Sequence, residues 1–148
     1  MLPSEKCRDL VKKYEGFRPA AYLCPAGVPT IGYGFTDGVK LGDTMTQKAA
    51  DSRLLDELRK FGEGVYALCS APVTQNGFDA LVSLAYNIGL AAFSRSSVLR
   101  LHNAGAATAC GRAFARWNKS TVGGKLVVLP GLTRRRAEEA ALYLSVAP

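Results

Sequence analysis

Glu15, Cys24 and Thr30 place one carboxyl, one thiol and one hydroxyl at fixed intervals, with eight residues between the first two and five between the last two. Cutting a glycosidic bond by acid/base chemistry needs a proton donor on one side of the bond and a group that positions water on the other. These side chains are of the right types for both tasks. Other chemistries lack their parts. His102 is the only histidine, and no Cys or carboxylate cluster has ligand spacing, so neither a metal nor a cofactor is expected. No G-x-S-x-G elbow and no glycine-rich loop ending in Gly-Lys-Ser or Gly-Lys-Thr is present.

The elements that must hold these residues can be read from periodicity. Ser4 is a helix cap, and Cys7, Leu10, Val11 and Tyr14 then fall at i, i+3, i+4 and i+7 ahead of a stop at Gly16. Glu15 is thereby expected at the C-terminal edge of the first helix, where the macrodipole disfavours an ionised carboxylate. From Phe17 to Asp43, short apolar pieces broken by prolines and glycines predict small hairpins. Thr44-Met45-Thr46-Gln47 has capping-box spacing and predicts a long helix towards Leu68, with Leu54, Leu55, Leu58 and Phe61 on one face and Gly62 and Gly64 weakening its end. Further helices are expected near Phe78 to Leu90, Ser97 to Ala104, Ala106 to Trp117 and Thr133 to Val146. The sum is an α+β fold, a small N-terminal β lobe and a larger all-helical lobe, with a cleft between them suited to a polymer.

The triad continues into Thr30-Ile31-Gly32-Tyr33-Gly34, and with Tyr14-Glu15-Gly16, Tyr22 and Gly27 it resembles the bacteriophage-type lysozymes, the endolysin group of glycoside hydrolase family 24. Their pattern is Glu at the end of the first helix, Asp or Cys after eight residues and Thr after five more. Phe78 to Gly89, Ser97-Val98-Leu99, Pro130-Gly131-Leu132, Arg135-Arg136 and Glu139 extend the likeness along nearly the whole chain. Two positions depart from the commoner pattern: Phe35 stands where relatives often carry His, and Cys24 where the best-known members carry Asp.

The resemblance implies a lysozyme-like fold, with residues 1–148 as one catalytic domain. It also implies inverting hydrolysis of the β-1,4 bond between N-acetylmuramic acid and N-acetylglucosamine in peptidoglycan. Glu15 is then the general acid and must hold its proton near neutral pH, while Cys24 and Thr30 hold the attacking water. Tyr86 and Asn87 match a helix that lines the substrate cleft, and Arg135 matches an arginine that reaches the catalytic Glu. Arg134 is instead read as pairing with Glu138 and Glu139 along its own helix. Tyr86 and Trp117 are also of the kind that fill a core. Two other readings stay open: a lytic transglycosylase cutting the same bond without water, and a non-catalytic basic module that binds cell wall.

The 148 residues carry a net charge of +7, which predicts attraction to anionic partners such as a cell envelope. Nucleic acid is not expected, because the basic residues are not interleaved with aromatic stacking platforms. Charged residues follow directly on Ser4 and the apolar run Ala80 to Phe93 contains Asn87, so neither a signal peptide nor a transmembrane segment is expected. Cys7, Cys24, Cys69 and Cys110 include no CxxC pair and are expected to be mostly free thiols. A monomeric phage lysin of this kind would accumulate in the host cytoplasm, leave through a separate pore-forming protein and act in the periplasm and cell wall.

Overall fold

The computed structural model describes residues 1–145. Its first helix, α1 (Glu5–Glu15), starts where Ser4 Oγ accepts the Lys6 N–H and stops at Gly16, whose φ of 68° breaks the helix. Cys7 and Val11 are its fully buried positions, and Glu15 is its last residue.

Strands β1 (Arg18–Leu23) and β2 (Pro29–Gly32) form an antiparallel hairpin with Tyr22 opposite Thr30 and Leu23 opposite Pro29. The segment at Thr44 lies along the other edge of β1, bridged to Ala20, with Met45 N–H donating to the Pro19 carbonyl at 2.8 Å. This pairing explains why Thr44 does not cap the next helix. Helix α2 (Gln47–Leu68) is capped instead by Thr46, whose hydroxyl accepts the Ala49 N–H at 3.1 Å. Ala50, Leu54, Leu58 and Val65 form its buried face, whereas Leu55 is exposed. Gly62 and Gly64 do not fray the helix, because each gives a neighbour room to approach. A Cβ at Gly62 would lie 3.0 Å from Pro3, and one at Gly64 would lie 2.6 Å from Leu90.

Helix α3 (Gln75–Ile88) runs through the middle of the larger lobe and is buried on all sides from Asn76 to Ala85. Around it lie α4 (Leu90–Ser94), α5 (Ser97–Asn103), α6 (Ala107–Ala113) with a 3₁₀ turn at Phe114–Trp117, and α7 (Pro130–Leu144). Pro130 occupies the first turn of α7, a position that needs no N–H, and so starts the helix ahead of Thr133. Arg134, Arg135 and Arg136 consequently lie beyond the first turn, outside the unfavourable reach of the dipole. The expected end at Val146 lies outside the described residues.

Between the 3₁₀ turn and α7, β3 (Lys119–Val122) and β4 (Lys125–Val128) make a second hairpin that the sequence reading did not anticipate. Its Gly123-Gly124 turn has positive φ at both positions, as a two-residue hairpin loop requires.

The N-terminal segment is fastened to α3 by Asp79, a fully buried carboxylate. It accepts from the Ser4 N–H at 2.9 Å, the Ser4 hydroxyl and the Gln75 amide at 2.9 Å. Replacing Asp79 by Ala strands these donors, and we expect a loss of about 2 kcal/mol. Urea denaturation should show a lower midpoint at unchanged slope; an unshifted midpoint would contradict the tether.

Candidate active site

A cleft of about 710 Å³ opens between the lobes, lined on one side by Tyr22, Cys24 and Thr30 and on the other by Asn87, Ser120 and Thr121, with Glu15 and Gly34 also contributing. The hairpin explains the spacing of the first group. Alternate residues of an extended chain share a face, and Cys24, one residue past β1 with its N–H donating to the Val28 carbonyl at 3.0 Å, continues the alternation from Tyr22; Thr30 joins them because it pairs with Tyr22. Of the five residues between Cys24 and Thr30, Pro25 to Val28 carry the chain across and Pro29 begins β2 opposite Leu23.

Glu15 enters from the end of α1. Arg135 on α7 donates from Nη1 to its Oε1 at 2.8 Å, and that arginine is only 2% exposed. Arg135 is held in turn by Glu139 on its own helix, Nε to Oε2 at 3.3 Å, and by the Ser83 carbonyl, which accepts from Nη2 at 3.1 Å. Glu139 is fully buried and also meets Arg136, whose Nε lies 2.7 Å from Oε1 without its N–H aiming at that oxygen. Burial pushes the Glu139 carboxyl upward, against the pull of Arg136 and Arg135. Arg134 joins no part of this cluster. Its expected partner Glu138 reaches back to α1, accepting from Tyr14 at 2.6 Å and from Lys13.

The other Glu15 oxygen faces the turn after β2. Ile31 and Phe35 exchange backbone hydrogen bonds of 2.9 Å, closing a loop whose Gly32 and Gly34 have φ of 65° and 84°. A Cβ on Gly34 would stand 2.9 Å from Glu15 Oε2. Glycine is thus required twice there, for its backbone conformation and for its clearance. Phe35, in the place of a commoner His, is buried with the Arg53 guanidinium 4.7 Å over its ring.

The Cys24 thiol is held below its ordinary pKa by the backbone N–H of Val28 above all, partial burial opposing, with further help from the Ala26 N–H. Backbone dipoles, not side-chain cations, supply the effect. Thr30 is 4% exposed and its hydroxyl donates to the Val28 carbonyl at 2.9 Å, which leaves its oxygen free to accept.

Of the remaining sequence candidates, Asn87 is exposed on the cleft wall. Tyr86 points elsewhere. Its hydroxyl donates to the Tyr33 carbonyl at 2.6 Å and its ring packs 5.2 Å from Phe61, so it ties the lobes together beside a smaller pocket lined by Phe35, Arg53 and Glu57. Arg135 contacts the carboxylate of Glu15. Ser120 and Thr121 were missed, although the Gly123-Gly124 turn between Thr121-Val122 and Leu126-Val127-Val128 is a legible hairpin signal. His102 is buried against Tyr143, its Nδ1 2.7 Å from the Tyr143 hydroxyl, far from any ligating role. Among the described residues no group of three or more His, Cys, Asp or Glu side chains is placed to hold a metal ion.

All four cysteines are unpaired. Burial raises the thiols of Cys7 and Cys110 and takes Cys69 up to about 11, so Cys24 alone is shifted downward. A lowered pKa keeps thiolate present as pH falls. Iodoacetamide should therefore label Cys24 first, with a rate profile displaced to lower pH than free cysteine; peptide mass spectrometry showing Cys69 labelled as fast would refute this.

The family model described as Phage lysozyme matches residues 12–139. The endolysin of Acyrthosiphon pisum secondary endosymbiont phage 1 is 41% identical over 142 residues, covering 96% of this chain and 97% of its own. Among solved structures, the endolysin from Escherichia coli O157:H7 phage FAHEc1 is 45% identical with a TM-score of 0.90, covering 100% of this chain and 97% of that one. The muramidase domain of SpmX from Asticaccaulis excentricus is 40% identical with a TM-score of 0.91, covering 97% of this chain and 98% of that one. With this fold, this cleft and these relatives, the chain belongs to the phage lysozyme family.

Proposed function

We propose that Glu15 is the general acid, and Cys24 with Thr30 the water-holding pair, of a muramidase that inverts the anomeric carbon. The reaction class follows from family membership: the chain is a glycoside hydrolase of bacterial peptidoglycan, cutting between N-acetylmuramic acid and N-acetylglucosamine. What carries the assignment of roles is one arrangement. A carboxyl group gripped by Arg135 through Oε1 presents Oε2 beside Gly34, at the wall of a cleft whose other lining includes Cys24 and Thr30.

In this mechanism the proton rides on Oε2 and passes to the leaving glycosidic oxygen. Arg135 fixes the carboxyl group through Oε1 and is itself held by Glu139. Arg135 is thereby a positioning residue. On the other face of the sugar, water donates to the Thr30 oxygen and to the Cys24 sulfur. As that water attacks, the thiolate fraction favoured by the Val28 N–H accepts its proton. Asn87, Ser120 and Thr121 offer hydrogen bonds to the glycan along the remaining wall. Tyr86 supports the site from behind.

Residues 1–148 are proposed to act as one catalytic domain and as a monomer. Among the described residues no helix is long and apolar enough to cross a membrane. We propose the corresponding route for host lysis, with accumulation in the host cytoplasm, passage through a separate pore-forming protein, and action in the periplasm and wall.

Clearing of purified peptidoglycan by the intact chain and by Glu15→Gln tests the acid. The amide has no proton of suitable acidity, so turnover should fall by at least about a hundredfold, and the parent's products should carry reducing ends. Comparable clearing by the variant would dismiss Glu15, and anhydro ends would replace hydrolysis by transglycosylation. Gly34→Ala should lower the same activity on the order of a hundredfold by displacing Oε2 while the fold persists. Parental rates for that variant would show that the close approach is unimportant.

A further inference from the structure

The net positive charge of this chain arises from one stretch. Between Asp79 and Glu138 there are nine Lys and Arg residues and no acidic one, whereas the rest of the chain holds ten basic and twelve acidic residues. The net +7 is therefore the property of a single region of the helical lobe. Besides Arg134 on α7, six of those cations, Arg95, Arg100, Arg112, Arg116, Lys119 and Lys125, are exposed, and among the described residues none is paired with a carboxylate. Their elements are contiguous. Arg116 Nη1 donates to Ser97 Oγ at 2.9 Å, joining the 3₁₀ turn to α5 one helical turn before Arg100, and Arg112 lies one turn before Arg116.

The same region carries uncovered aliphatic side chains. On the β3–β4 hairpin, Val122, Leu126, Val127 and Val128 are 53%, 68%, 40% and 49% exposed. The register puts Lys119, Leu126 and Val128 on one face and Val122, Lys125 and Val127 on the other. Each face thus combines two aliphatic groups with one lysine whose stem can lie along apolar matter while its ammonium stays in water. The region lacks exposed aromatic rings, since Phe93 and Phe114 are buried and Tyr86 and Trp117 are half-buried, so it has no platform for stacking nucleotide bases.

We propose that this face is a docking surface for an anionic lipid bilayer, with the β3–β4 hairpin entering the headgroup region and the six cations lying against the lipid phosphates. Cations near an anionic bilayer and aliphatic groups entering it contribute separately, and interfacial binding needs both. The hairpin roots at Ser120 and Thr121 on the cleft wall. Docking there sets the cleft beside the wall layer nearest the membrane. The inference takes its setting from the envelope-directed reading above, but binding itself needs no catalysis.

The test uses co-sedimentation of Glu15→Gln, which removes hydrolysis, with vesicles of phosphatidylglycerol and phosphatidylcholine and with vesicles of phosphatidylcholine alone. Retention should require phosphatidylglycerol. It should fall about tenfold for Leu126→Ser or Val122→Ser and about fivefold for Arg112→Gln. Circular dichroism must show each variant folded, and each substitution placed in the Glu15 parent should leave clearing of purified peptidoglycan unchanged, which separates this proposal from the hydrolase reading. Undiminished retention of both Ser variants would overturn insertion. Equal binding to phosphatidylcholine, or binding of duplex DNA without vesicle retention, would overturn the lipid partner.

Discussion

A guanidinium removed from water must be met by negative charge and by carbonyl oxygens, or its burial is prohibitive. Arg135 meets that demand from three directions: Glu139 on its own helix, the Ser83 carbonyl on α3, and Glu15 at the end of α1. The Glu15 carboxyl is therefore part of the solution to a core problem. Its position follows from the packing of α7 against the central helix, and Glu139 and Arg136 complete the charge balance one layer further in. Such a cluster fixes geometry well and tolerates the loss of a member poorly.

The β lobe is registered against that carboxyl by hydroxyls and backbone. Tyr86 donates to the Tyr33 carbonyl, and the Tyr33 hydroxyl donates to Asp51 Oδ1 at 2.7 Å, where Lys12 of α1 also arrives at 3.1 Å. Three elements distant in sequence converge on the glycine turn that lies against Glu15. Phe35 then fills the space behind with apolar surface and leaves Arg53 to stack on its ring.

The sequence made the catalytic side legible because its geometry is local. A cap, a stripe and a stop fixed Glu15 at a helix end, and strand alternation about a short turn brought Cys24 to the side of Thr30. Where tertiary partners decide, local signals misled. Thr44 has the chemistry of a cap but is taken by an edge pairing with Ala20, and Leu55 has the periodicity of a core residue but finds no neighbour to cover it. Gly62 and Gly64 look like helix weakeners until Pro3 and Leu90 are seen against them. Tyr86 and Asn87 are adjacent in sequence, yet only the fold separates a lobe tie from a cleft residue.

Cys24 has a consequence beyond the role proposed for it with water. A partly exposed sulfur whose anion is stabilised by backbone N–H groups is also the thiol most readily taken by peroxide to a sulfenic acid, and none of the other three cysteines has been given that disposition. A carboxylate in that place would be indifferent to peroxide, whereas a sulfenic acid would add an oxygen atom to the lining of this cleft. With Cys24 in its proposed role, the competence of the molecule would be tied to the redox poise of whatever compartment surrounds it.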